Sequence, residues 1–312
     1  MPRTPLFDSL RLPLISAPMF LVSGPDLVIA SCRAGIIGSF PTPNCRTLDE
    51  LERWMDRIDR AVGSHGAKLP WAVNLIVHRT NTRLNEDLAI VLRYKPPIVI
   101  TALGSPARIV EAVQAYGGIV LADISTMLHA RKAAAVGVDG LVLVSAGAGG
   151  HTGTITPFAF VPAVREFFDG LIVLAGGVSG GRGIAAARAL GADLVYAGTR
   201  FIASAESQAP EDYKSMLVEA TVESLVPTAS LTGALANMLR PSIERAGLDP
   251  DKLGAGLKPD FSDGALFNRP WKHIWSAGHG VGMITAVETV ADIVDRWEGE
   301  YHAAIADLMG RR

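Results

Sequence analysis

Cysteine is almost absent: Cys32 and Cys45 are the only two among 312 residues. Two thiols are too few for a disulfide framework or a structural zinc site. No metal is therefore expected, a reducing cytoplasm is the default compartment, and Cys32 reads as a small core residue in a buried helix. A basic excess is missing as well. The formal net charge is −2, with 29 Lys and Arg against 31 Asp and Glu. Nucleic acid needs a basic face to meet its phosphates, so it is not expected as a partner. Mean hydropathy is positive at +0.28, yet no apolar run is long enough to span a bilayer, and no membrane partner is expected. The stretch Met1–Asp8 has no apolar core of the kind a signal peptide carries. The turn after the first apolar run, Ala17-Pro-Met-Phe-Leu-Val-Ser-Gly24, lacks the glycine fingerprint with which an open doubly wound sheet holds a dinucleotide.

What is present is a rhythm. Short apolar runs recur at Leu12–Ala17, Gly35–Phe40, Trp71–Val77, Ile98–Thr101, Ile119–Asp123, Leu141–Val144, Leu171–Leu174 and Leu194–Ala197. They are continuous rather than alternating, as strands buried on both faces should be. Helix-like segments lie between them, among them Leu48–Ala61, Pro106–Tyr116, Met127–Val136, Phe158–Phe168 and Gly183–Leu190. Eight βα units in about 200 residues favour an α/β chain of the (β/α)8 TIM-barrel type. The rhythm then changes. Residues 1–205 and a closing helix over about 286–312 are expected to make the barrel, and 206–285 a helical appendage over the active-site mouth. Helices are expected at Ala209–Glu223 and Leu231–Ala246, before the stretch Leu253–Pro270, rich in Gly, Pro and Asp.

The chemistry concentrates in three loops. Ser145-Ala-Gly-Ala-Gly-Gly-His151-Thr-Gly-Thr154 follows a buried strand and sets one histidine among small residues. A lone histidine is more often a hydrogen-bonded surface or core group. At a strand end inside a glycine cluster it can move a proton beside a flat ligand. Leu174-Ala-Gly-Gly-Val-Ser-Gly-Gly-Arg-Gly183 and Tyr196-Ala-Gly-Thr-Arg-Phe201 end the seventh and eighth strands. In barrels these loops often form a phosphate site from backbone N–H groups. Gly176, Gly177 and Gly198 let backbone approach, Thr199 adds its N–H and hydroxyl, and Arg182 or Arg200 offers charge. Ala17, Pro18 and Met19 present backbone at the first strand end, and Asn74 is an amide inside an apolar run that needs partners. Asp123 either faces the mouth or caps the following helix, and the cap is the simpler role.

These motifs, in this order and over nearly the whole chain, resemble the nitronate monooxygenase family, formerly 2-nitropropane dioxygenases. The resemblance implies an FMN-dependent TIM-barrel enzyme that oxidises nitronates or nitroalkanes with dioxygen to a carbonyl compound and nitrite. It implies FMN phosphate on Gly176, Gly177, Gly198 and Thr199, and the flavin ring near Ala17, Pro18, Met19 and Asn74. Gly149 and Gly150 would line the ring beside His151, which matches the family's general base. Trp275-Ser-Ala-Gly-His-Gly280 resembles a C-terminal motif near the flavin. It makes Trp275, Ser276 and His279 candidates for the substrate pocket, or Trp275 an anchor for the appendage. The resemblance leaves a homodimer open beside a monomer. Similar motifs occur in FMN-dependent NAD(P)H reductases. Enoyl-ACP reductases usually carry Glu where Gly147 stands, and some NADH:quinone reductases carry lysine where Asp123 falls. The opening Ala17-Pro-Met19 also differs from the Gly-Gly-Met common in both groups. A barrel that binds flavin or a phosphate ligand without turnover is the alternative of another class.

Overall fold

The eight apolar runs become eight parallel strands in a computed structural model that describes residues 5–63, 69–254 and 273–310. They are β1 (Leu14–Ser16), β2 (Gly38–Pro41), β3 (Trp71–Ile76), β4 (Ile98–Ala102), β5 (Ile119–Ile124) and β6 (Gly140–Val144), then, after the two-residue β7 (Gly150–His151), β8 (Leu171–Ala175) and β9 (Leu194–Ala197). Their spatial order is β1-β9-β8-β6-β5-β4-β3-β2. The ring closes where Ile15 bridges Ile37 in parallel; the Ser16 N–H donates to the Ile37 carbonyl at 2.8 Å and the Ile37 N–H to the Leu14 carbonyl at 2.9 Å. The protein is a (β/α)8 barrel.

Alternation along each strand explains why the runs are apolar throughout. Ile15, Ile37, Ala72, Ile100, Leu121, Val142, Val173 and Leu194 fill the interior of the barrel. Their neighbours Leu14, Val73, Val99, Val120, Leu141, Ile172 and Val195 face outward into a second, larger core under the helices. Those helices are α1 (Pro25–Arg33), α2 (Leu48–Gly63), α3 (Leu84–Tyr94), α4 (Ala107–Gln114), α5 (Met127–Ala135), α6 (Pro157–Arg165), α7 (Gly181–Leu190) and the one-turn α8 (Thr199–Ile202). Cys32 is 1% exposed within α1 and is a core residue.

Beyond the barrel come α9 (Glu211–Glu219), the strands β10 (Leu225–Thr228) and β11 (Ala236–Leu239), and α10 (Arg240–Arg245). The expected helix over Leu231–Ala246 is thus corrected to a strand followed by a short helix. β11 lies between β10 and β7 in an antiparallel three-stranded sheet, with Ala236 opposite His151 and Asn237 opposite Gly150. Pairing with the His151 loop selects the extended form. The expectation for Leu253–Pro270 lies, from residue 255 on, outside the described residues. The closing helix is α11 (Val290–Gly310). It packs Trp297 edge-on to Phe201, ring centroids 6.0 Å apart. It also approaches α7 so closely that a Cβ on Gly181 would meet the Trp297 carbonyl at 2.0 Å. Among the described residues no helix is long and apolar enough to cross a membrane.

Candidate active site

A cavity of about 1230 Å³ opens at the C-terminal ends of the barrel strands. That exceeds the usual volume for one small ligand and leaves room for a cofactor and a substrate together. Ala17, Pro18 and Met19 line it beside Asn74. The β6–β7 loop brings Gly149, Gly150 and His151 to the same wall. The loops after β8 and β9 bring Gly176, Gly177, Gly198 and Thr199. Trp275 and Ser276 close it from the C-terminal segment.

Backbone geometry explains the glycines. Gly176 has φ +111° and Gly177 φ +72°, a region that side chains other than glycine rarely adopt. A Cβ on Gly176 would strike the Ser145 hydroxyl at 2.8 Å, whereas one on Gly177 would project into open space. Gly177 therefore presents bare backbone to the cavity. Gly149 is bare for another reason: a Cβ there would meet the Gly278 nitrogen at 2.7 Å. Gly278 in turn donates its N–H to the Thr199 hydroxyl at 2.8 Å. The C-terminal segment is thereby fastened across two of the cavity loops.

His151 sits on β7, and its register against Ala236 is fixed by β11. The Asn237 side chain donates to the Ala148 carbonyl at 2.8 Å, and the Thr152 N–H donates to the Leu235 carbonyl at 3.0 Å. Burial pushes the imidazole below its ordinary pKa, which favours the neutral form. Asn74 is 4% exposed and donates to the Ile100 carbonyl at 3.3 Å. Its amide oxygen remains an acceptor for a neighbour or ligand.

Several sequence expectations are corrected. The cap of α5 is the Thr126 side chain, which accepts from the His129 N–H at 3.1 Å; Asp123 instead faces the cavity. Arg182 pairs with Asp307 at 2.9 Å on the surface, and the Arg200 guanidinium is turned to Glu288 at 2.6 Å and the Ala286 carbonyl. Neither brings its charge to the glycine loops. The Gly181 N–H at the start of α7 donates to Glu300 at 2.7 Å. His279 is exposed and does not line the cavity; it contributes its backbone N–H to the Gly147 carbonyl at 3.0 Å. Trp275 stacks on Tyr213 at 4.6 Å and lies under Arg245 at 3.8 Å, so it anchors the appendage as well as lining the cavity.

Sequence reasoning missed Asn237 and Tyr196. Asn237 was legible only as a polar residue within the apolar stretch Leu235–Leu239. Tyr196 stands two residues after Leu194, a spacing that places it on the inward face of its strand.

The nitronate monooxygenase family model matches residues 76–296. A nitronate monooxygenase of Paraburkholderia phytofirmans is 30% identical over 95% of this chain and 94% of its own length. The (3aS,4S,5R,7aS)-5-hydroxy-7a-methyl-1-oxo-octahydro-1H-indene-4-carboxyl-CoA dehydrogenase of Mycobacterium tuberculosis is 27% identical over 88% of this chain and 76% of its own. FabK from Thermotoga maritima superposes along both whole chains with a TM-score of 0.80 at 24% identity, a likeness of fold.

Proposed function

We propose that this chain, which belongs to the nitronate monooxygenase family, oxidises nitronates and nitroalkanes with dioxygen, in an FMN-dependent reaction, to a carbonyl compound and nitrite. It is an oxidoreductase, and flavin dependence is general in its family. The observation that carries the finer reading is one half-buried, neutral-leaning histidine on the wall of a cavity floored by barrel strands and edged by bare glycine backbone.

The residues fit a flavin mononucleotide. Open space beside Gly177, whose own N–H donates to the Gly147 carbonyl at 3.3 Å, suits a phosphate held by the backbone of Gly198 and Thr199, because no Cβ at Gly177 stands in the way. Gly176 shapes that loop. Backbone at Ala17, Pro18 and Met19 and the Asn74 amide suit the polar edge of the ring. Gly149 and Gly150 carry the chain past it to His151. Bound flavin supplies the electron acceptor and the route to dioxygen.

The protein supplies proton transfer and placement. A neutral His151 nitrogen accepts the acidic C–H proton next to a nitro group, leaving a nitronate beside an imidazolium. With a preformed nitronate, the protonated ring instead holds the negative nitro oxygens. Trp275 and Ser276 border the space where the alkyl part would lie.

The reductase alternative meets an obstacle at Gly147. That residue has φ +92°, and a Cβ would sit 3.1 Å from the His279 ring. A glutamate there would be strained by the backbone and crowded against the His279 ring, which disfavours the carboxylate of enoyl-ACP reductases in this loop.

The test is His151→Ala assayed for nitrite. Turnover of neutral 2-nitropropane should fall by about 10²–10⁴, the usual worth of a general base, and turnover of propionate 3-nitronate by much less. Equal loss on both substrates refutes the base assignment.

A further inference from the structure

Alternation along β5 puts Asp123 on the same side as Leu121, and along β9 it puts Tyr196 on the same side as Leu194. Leu121 and Leu194 belong to the apolar interior of the barrel. Asp123 and Tyr196 form the next layer up, where that interior meets the cavity. The Asp123 Oδ1 and the Tyr196 hydroxyl are sealed from solvent, and neither has a hydrogen-bond partner among the described residues.

The fold treats its fully buried carboxylates differently. Asp87 is held by Arg83 at 2.9 Å and Asp193 by Arg165 at 2.7 Å. Among the described residues no arginine or lysine is paired with Asp123. Its neighbours on the adjoining strands, Thr101 and Ala102 of β4 and Val142 and Leu143 of β6, carry no charge. The other ionisable linings of the cavity are His129, Lys132, His151, Arg200 and Tyr213. Burial alone raises the Asp123 carboxyl, to about 7. Burial, and then the proximity of Asp123, lifts the Tyr196 phenol well above its ordinary value. A buried carboxyl and phenol left unsatisfied destabilise a barrel with nothing bound, and a ring edge bearing carbonyl and nitrogen atoms can satisfy both.

We propose that Asp123 and Tyr196 are a proton-holding pair in the floor of the cavity, and that the protonated Asp123 carboxyl donates a hydrogen bond to the polar edge of the bound flavin. Asp123 is then a positioning residue for the cofactor, distinct from the base that takes the substrate proton. The inference rests on the flavin reading above. Its consequence is that FMN binds less tightly as pH rises through neutrality, because ionisation removes the donor and leaves a carboxylate. Asp123→Asn keeps a donor that does not titrate.

The experiment is a fluorescence titration of FMN into apoprotein at pH 6.0, 7.0 and 8.5, for the wild type, Asp123→Asn and Tyr196→Phe. His151 and the FMN phosphate titrate in all three, so the ratio of wild-type Kd to Asp123→Asn Kd isolates Asp123. That ratio should rise roughly tenfold from the lowest pH to the highest. A ratio independent of pH overturns the proposal. Should Asp123→Asn fail to fold, calorimetry of FMN binding to the wild type near pH 8, in buffers of different ionisation enthalpy, gives the same answer. Net proton uptake supports the pair and zero uptake overturns it. FMN that binds none of the proteins at any pH overturns the flavin reading itself, a result distinct from tight binding with a flat ratio.

Discussion

Burial holds the His151 imidazole below its ordinary pKa, so the acid limb of kcat/KM for a nitroalkane should fall below pH 6.5. A pH–rate profile checks this, and a limb above 7 contradicts it. The same shift bears on stability. As pH falls through 6.5 the unfolded chain takes the proton before the folded one does, so stability declines below that pH. His151→Ala should flatten that part of the curve in urea melts. Gly177 carries the other residue-scale prediction. Alanine at φ +72° costs about 1–2 kcal/mol of backbone strain, or a melting-temperature loss of roughly 1.5–3 °C in a chain of this size. Its methyl would enter the proposed phosphate position, so FMN affinity should drop at least about tenfold in a titration. Unchanged affinity would move the phosphate elsewhere. His151 and the glycine loops were legible because special backbone and a titratable group leave marks in a sequence. The direction of Asp123 was not, since Thr126, three residues on, offers a cap with the same local logic.

At the scale of elements, the barrel strands were readable because a run buried on both faces has one pattern. The appendage was not. Leu235–Leu239 is a short apolar run, and such a run fits strand or helix equally by periodicity. Its partner, the Gly150–His151 strand, lies more than eighty residues earlier in the chain, so no local signal decides. That pairing makes β11 a brace for His151. Asn237→Ala removes the bond to the Ala148 carbonyl, which should cost about 1–3 kcal/mol in urea unfolding. By loosening the His151 loop it should also lower kcat on nitroalkane more than it weakens FMN binding. Loss of stability with full kcat would show that β11 supports the fold without positioning His151.

At the scale of the whole molecule, barrel and appendage meet around one cavity, and α11 locks the last barrel units beneath Trp297. The eightfold rhythm made the barrel legible from the sequence. The fastening of the C-terminal segment to Thr199 through Gly278 was beyond it, because a backbone-to-hydroxyl bond across 79 residues has no periodicity. Asp123 adds a global pH dependence of its own. Its folded pKa of about 7 lies above the unfolded value, so stability is highest below pH 4 for this group and declines as pH rises from there to neutrality. Apoprotein melts should therefore show Asp123→Asn gaining on the wild type between about pH 4 and 7 and holding that gain above 7. The most direct measurement of the central claim is nitrite release from FMN-loaded protein incubated in air with propionate 3-nitronate, beside a parallel incubation with NADH. Nitrite formed in proportion to enzyme, without NADH, is the predicted result; NADH-driven flavin reduction with no nitrite from any nitronate would contradict it.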